Sequence, residues 1–207
     1  MMRTILCVCL LAALQACSGE DPDASSIYSE PEGMPDAQAQ AKRAIAGVSR
    51  ATVTALGERD LEALSQLVHP VDGVRFSPYG FVDPDSDRVL TATELVSAGE
   101  DSSRYLWGYY DGSGEPISLT FNEYYERFVY DADFSRAERT GYDTQIGVGN
   151  SINNAADVYP GCITVEYHFS GFDPEMQGLD WRSLRLVFSR YTDNWYLVGI
   201  VHDEWTI

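Results

Sequence analysis

The last stretch of the chain, Trp181 to Trp205, constrains the fold more than any other. It reads as two strands joined by a polar turn at Thr192, Asp193 and Asn194, residues that tolerate left-handed backbone. With Tyr191 opposite Trp195, Phe188 falls across from Val198, Leu186 from Ile200 and Leu184 from His202. Side chains alternate across a strand, so these six define one face and its apolar members must be covered. The opposite face sets Arg185, Val187 and Ser189 against Val201, Gly199 and Leu197, with Trp195 and Trp205 near its ends. The second strand is therefore apolar on both sides, as a strand inside a covered sheet is.

The start of the chain has a different chemistry. Arg3 precedes an apolar run from Ile5 to Leu14, followed by Leu14-Gln15-Ala16-Cys17. A run of that length matches a signal-peptide core and is short for a membrane-spanning helix. The last four residues resemble the lipobox of bacterial lipoproteins, which implies a signal peptide over 1–16, lipidation of Cys17 and an envelope protein anchored by lipid. Ser18 after that cysteine resembles outer-membrane sorting, facing the periplasm, if the source is Gram-negative. Residues 17–35 are then the lipidated cysteine and a tether, since SGEDPDASSIYSEPEGMP is too polar and proline-containing to order itself. Loss of the leader and acylation of Cys17 leave Cys162 alone, so no intrachain disulfide is expected.

Beyond residue 16 the chain carries 13 basic and 32 acidic residues, and Lys42 is its one lysine. That balance disfavours nucleic acid and anionic lipid surfaces as partners.

A single domain is expected over 36–207. Ala41, Ala44, Ile45, Val48, Thr52, Ala55 and Leu56 recur at helical spacing over Asp36–Leu56, with Gly57 as C-cap. Asp60 caps a second helix ended by His69-Pro70. Val74 and Phe76 alternate as an edge strand broken at Pro78. Thr91-Ala92-Thr93-Glu94 and Thr120-Phe121-Asn122-Glu123 read as capping boxes, the second opening a helix with Phe121, Tyr124, Tyr125 and Phe128 on one face. Asp131–Asn154 is a long polar excursion, and Val158–Phe169 is a strand with Thr164, Glu166 and His168 on its polar side.

Helices followed by long antiparallel strands resemble the nuclear-transport-factor-2-like cone fold, most clearly in ALGERDLEALSQLVHP and WYLVGIVHDEW. The resemblance implies an α+β domain whose N-terminal helices pack on a strongly curved, mainly antiparallel sheet. That superfamily includes scytalone dehydratase, ketosteroid isomerase and polyketide cyclases, and also binders without catalysis. GVRFSPY, WGYYDGSGEPI and LRLVF…WYLVGIVHDEWTI are also similar to a family of uncharacterised bacterial lipoproteins, a likeness that carries no activity with it.

Candidate chemistry is sparse. His202 continues the Val198–Ile200 face toward the strand end, where a cone opens a pocket, and reads as a base, a ligand anchor or a core-edge imidazole. His202 and Asp203 point to opposite faces, so they form no dyad. His69, Arg75, Tyr79, Trp107, Tyr109 and His202 are the candidate pocket residues. Asp83, Asp85, Asp87 and Glu94 approach the spacing of a calcium loop, although Arg88 stands where that loop needs glycine. No cofactor is indicated, and the apolar odd-numbered face of the last strand admits a homodimer through the sheet. Two functions stay open: a non-catalytic binder of a small ligand or protein partner, and an acid–base enzyme of the isomerase, dehydratase or cyclase kind with His202 as base. The second requires His202 within reach of a Tyr or carboxylate and open to solvent.

Overall fold

The computed structural model describes residues 37–206. The leader, Cys17, the tether and the Asp36 start of the first helix lie outside the described residues. Over the rest the protein is α+β, with helices, a mixed six-stranded sheet and a separate two-stranded sheet.

Helix α1 spans Ala37–Glu58 and buries Ala41, Ile45, Thr52, Ala55 and Leu56 of the face its spacing predicts, and Val53 besides, while Val48 is half-buried and Ala44 is exposed. Its end differs from expectation. The left-handed residue is Arg59 (φ 54°), and the Asp60 and Arg59 amides donate to the Ala55 and Leu56 carbonyls at 2.9 and 3.1 Å. This is a Schellman closure made without glycine. Gly57 stays helical, inside α1, and a Cβ there would sit 2.7 Å from the Tyr130 hydroxyl. Asp60 then caps α2, Leu61–Ser65.

The sheet runs β2-β1-β8-β7-β6-β5. Strands β1 (Val74–Ser77) and β8 (Asn194–Glu204) pair in parallel, and the other neighbours are antiparallel. The edge beside β1 is taken by β2, Arg88–Leu90, so β1 is an inner strand rather than the expected edge. Between β2 and β3 lies α3, Ala92–Ala98, opened by the Thr91/Glu94 capping box. The aromatic segment forms a hairpin of β3 (Tyr105–Tyr109) and β4 (Pro116–Leu119). Helix α4, Phe121–Phe128, follows the Thr120/Glu123 box. The polar excursion contributes β5, Arg139–Tyr142, before a short helix α5, Ala155–Val158, and β6 is shorter than expected at Ile163–Phe169.

The terminal hairpin of β7 (Arg182–Tyr191) and β8 keeps the expected register from Leu184↔His202 to Val187↔Gly199, then shifts to Phe188↔Leu197 and Tyr191↔Asn194. The turn is two residues, with Thr192 left-handed (φ 53°), and a bulge at Val198 absorbs the difference. The bulge exchanges two side chains between faces. Leu197 joins Leu184, Leu186, Phe188 and Ile200 in the main core, while Val198 joins Val82, Val187 and Val201 on the reverse face.

That reverse face is covered by the chain itself: Val158, Tyr159 and Cys162 pack on it. Leu197 and Val201, two of the residues that pointed to a dimer through the sheet, are fully buried within this chain. The side of β6 read as polar is also buried, with Glu166 and His168 at 1% and 6% exposure. Ile146 and Gly147 amides donate to the Glu166 carboxylate, which also accepts from Ser183 and Arg185, so the loop before α5 is tied over these charges.

Candidate functional site

His202 faces the helices from β8, on the same side as Leu184 and Ile200. It is fully sealed from solvent, its Nε2 lies 3.1 Å from Asp131 Oδ2, and the Phe128 ring meets it edge-on at 5.9 Å. Arg182 Nε donates to the same Asp131 oxygen at 2.8 Å, and Arg182 and Arg127 both hold Glu204. Asp131 is thereby kept ionised: burial works against its charge, but His202 and Arg182 hold the carboxyl below the usual range. The carboxylate partner expected of a base is present; the solvent access is not.

Asp131, His202 and Glu204 bring ligand atoms within 4.8 Å of one another, a set that could hold a metal by distance alone. Its charges are already matched by two guanidinium groups. A divalent cation would have to displace Arg182 inside a low-dielectric site, so the set fits an ion-pair network and not a metal.

Beside His202 the interior is filled with rings. Trp107 is wholly buried, stacks on Tyr124 with centroids 4.1 Å apart, and donates its indole N–H to the Leu119 carbonyl at 2.9 Å. Phe76 meets Trp107, Phe121 and Tyr124 edge-on. Trp107 is therefore a core residue with no open face toward a ligand in this cluster. His69 is equally structural: its Nδ1 accepts the Asp72 amide at 3.0 Å, and Tyr191 packs on the ring. Arg75 donates to the Pro84 and Asp87 carbonyls, which pins the turn before β2.

The remaining two pocket candidates do converge. Tyr79, from the loop after β1, and Tyr109, at the end of β3, line one groove of about 450 Å³. Gly108 permits the approach of β3 to that loop: its φ is 125°, and a Cβ would press on Pro78 at 3.3 Å. Asp83 and Asp87 enter from the turn before β2, Tyr110 and Asp111 from the β3–β4 turn, and Asn150 and Ile152 from the long loop. The Thr206 hydroxyl sits between Asn150 and Asp111 and ties that loop to the turn. Phe81, Tyr109 and Ile152 stand at least half exposed along it, and no basic residue among the described ones lines it.

The four carboxylates with near-calcium spacing do not act together. Glu94 is spent on its capping box with Thr91. Asp87 turns inward to the Ser77 hydroxyl and the Asp83 amide, and burial pushes its carboxyl up to about 6. Asp83 accepts from Ser86 and the Asp85 amide, which holds it below the usual carboxylate range. These are the bonds of a tight turn, and they leave Asp83 as a charged wall of the groove.

The groove residues missed by sequence reasoning are Phe81, Asp111, Asn150 and Ile152, whereas Tyr110 reads from the sequence, with Tyr79 and Tyr109, as part of an aromatic mouth. A signal for the first two was present, since PYGFVD and YYDGSG each place an aromatic within two residues of an acid. Asn150 and Ile152 lie in a loop without periodicity. The chain matches no family model, no curated protein and no solved structure, so its function has to be argued from these side chains.

Proposed function

We propose that this chain is a lipid-anchored cell-envelope protein whose domain, of the nuclear-transport-factor-2-like cone type, binds without catalysis. The ligand is a cation with an apolar body, such as a Lys- or Arg-containing segment of a partner protein or an organic amine. The observation that carries this reading is the groove: exposed Phe81 and Tyr109 rings beside Asp83 and Asp111, with no base among the described residues that line it. Aromatic faces and carboxylates both favour a cation, and the strongly acidic chain would draw one toward the surface. Helices α1 and α2 laid on a mainly antiparallel sheet support the cone reading. The packed ring cluster and the sealed His202 favour binding over acid–base chemistry.

Titration with a short Lys-Trp-Lys peptide and with its Glu-Trp-Glu counterpart tests the ligand class. Preferential binding of the basic peptide, weakened about tenfold by Tyr109→Ala or Asp83→Asn, is the expected result. Equal binding of both peptides, or indifference to both substitutions, would remove the groove from consideration. Cys17→Ala, followed by fractionation and metabolic labelling with a palmitate analogue, tests the anchor: label and membrane association should both be lost.

A further inference from the structure

A second cleft has the opposite electrostatic character. It opens between α1 and the β5–β6 edge, has a volume of about 610 Å³, and lies within the size range of small-molecule sites. Helix α1 holds Lys42, Arg43 and Arg50 against one acid, Glu58, in a chain that is otherwise strongly acidic. Two of those bases, Lys42 and Arg50, line the cleft, and no carboxylate among the described residues does. They stand eight residues apart on α1, about 12 Å along the axis at 1.5 Å per residue. Neither makes an ion pair with another described residue. Lys42 Nζ lies 6.0 Å from the centre of the Tyr142 ring, a loose contact that leaves its ammonium available.

The rest of the cleft supplies an apolar bed and hydroxyls. Buried Val53, Gly141 and Tyr167 lie at its base, and Ser135, Thr140 and Tyr142 add hydroxyl groups. Gly141 pairs with Glu166 across the β5–β6 ladder, so the β5 wall is part of the sheet and not a free loop.

We propose that this cleft binds a small organic anion: an apolar or aromatic body carrying one or two carboxylate, sulfonate or phosphate groups. The body would lie on Val53, Tyr142 and Tyr167, and the acidic groups would meet Lys42 and Arg50. Such a ligand is excluded by charge from the groove at Tyr109, so the chain has two sites of opposite preference. This inference is independent of the reading given to that groove.

The test uses the purified full chain and 1-anilinonaphthalene-8-sulfonate, with its uncharged analogue N-phenyl-1-naphthylamine as control. Saturable one-to-one binding of the sulfonate is expected, weakening with added salt and at least tenfold in Lys42→Gln/Arg50→Gln, with the uncharged analogue unaffected by that pair. Both positions are exposed, so the double variant retains the fold, which circular dichroism checks. Tyr109→Ala should leave the sulfonate affinity unchanged. Competition by octanoate or octyl phosphate, in either case, supports the site and identifies the preferred head group. Unchanged affinity in the double variant, equal binding of the uncharged analogue, or competition by neither anion would overturn the proposal.

Discussion

His202 Nε2 rests 3.1 Å from Asp131 Oδ2, and the imidazole has no solvent exposure. Asp131 follows the end of α4, so this pair and Arg182 fasten that helix end to the β7–β8 hairpin. Removing the imidazole would open a void against Phe128 and leave Asp131 with Arg182 as its remaining charge partner.

His202→Ala should therefore cost about 2–4 kcal/mol of stability in urea denaturation. Binding of a cationic peptide at Tyr109 should change less than twofold. A stable His202→Ala protein would mean that the pair does not secure the helix.

Gly57 offers a sharper test of packing. Replacing a helix-interior glycine with alanine is normally favourable by about 0.5–1 kcal/mol. Here the new methyl would meet the Tyr130 hydroxyl at 2.7 Å. Gly57→Ala should be destabilising by about 1 kcal/mol, and Tyr130→Phe in the same chain should restore most of the loss. Thermal unfolding of the two single variants and the double variant measures the coupling directly.

The parts of the fold legible in the sequence were those set by local chemistry. Thr91/Glu94 and Thr120/Glu123 announced their helices because each box satisfies its own backbone donors within three residues. Alternation announced β7 and β8. What could not be read was decided by contacts distant in sequence. The Val198 bulge follows from a two-residue turn, and its burial depends on Val82, more than a hundred residues earlier. Glu166 and His168 read as a polar side because nothing local marks the loop at 146–147 that covers Glu166. The same limit applies to the site: Tyr79 and Tyr109 were picked as aromatic, but their meeting depends on Gly108 and Pro78 touching.

Calcium should leave the protein unmoved. Glu94 is committed to Thr91 and Asp87 to Ser77, so only Asp83 and Asp85 are left to turn toward an ion, and Asp83 only by giving up its bonds from Ser86 and the Asp85 amide. Two carboxylates fall short of the six to eight oxygens calcium takes. Addition of calcium to about 5 mM should shift the melting temperature by less than about 1 °C. A clear rise, lost in Asp83→Asn, would restore the ion site.

The dependence of stability on pH should be dominated by two buried carboxyls, against an opposing loss on acidification from His168, whose imidazole is held by burial below its usual value. Burial pushes Asp203 up to about 6; Arg185 opposes that rise and Glu166 adds to it. Asp87 is pushed up to about 6 by the same cause, partly offset by its bond from Ser77. A carboxyl whose folded pKa exceeds its unfolded value near 3.8 binds more protons in the folded state between those two values. Stability then falls as pH rises through about 4 to 6, and the full penalty is present above 6. Acidification from pH 7.5 to about 5 should therefore raise the melting temperature. Below about 4 the trend should reverse, because Asp131 and Asp83 are held below the usual range and lose their bonds on protonation. Asp203→Asn separates the contributions. Arg185 keeps its 3.1 Å bond to Glu166, so the substitution removes a buried charge without orphaning the guanidinium. It should gain about 1 kcal/mol at pH 7.5 and shrink the rise between pH 7.5 and 5 by roughly half. A variant that is less stable at pH 7.5, with a profile parallel to the parent, would show that the charged form of Asp203 holds the reverse face together.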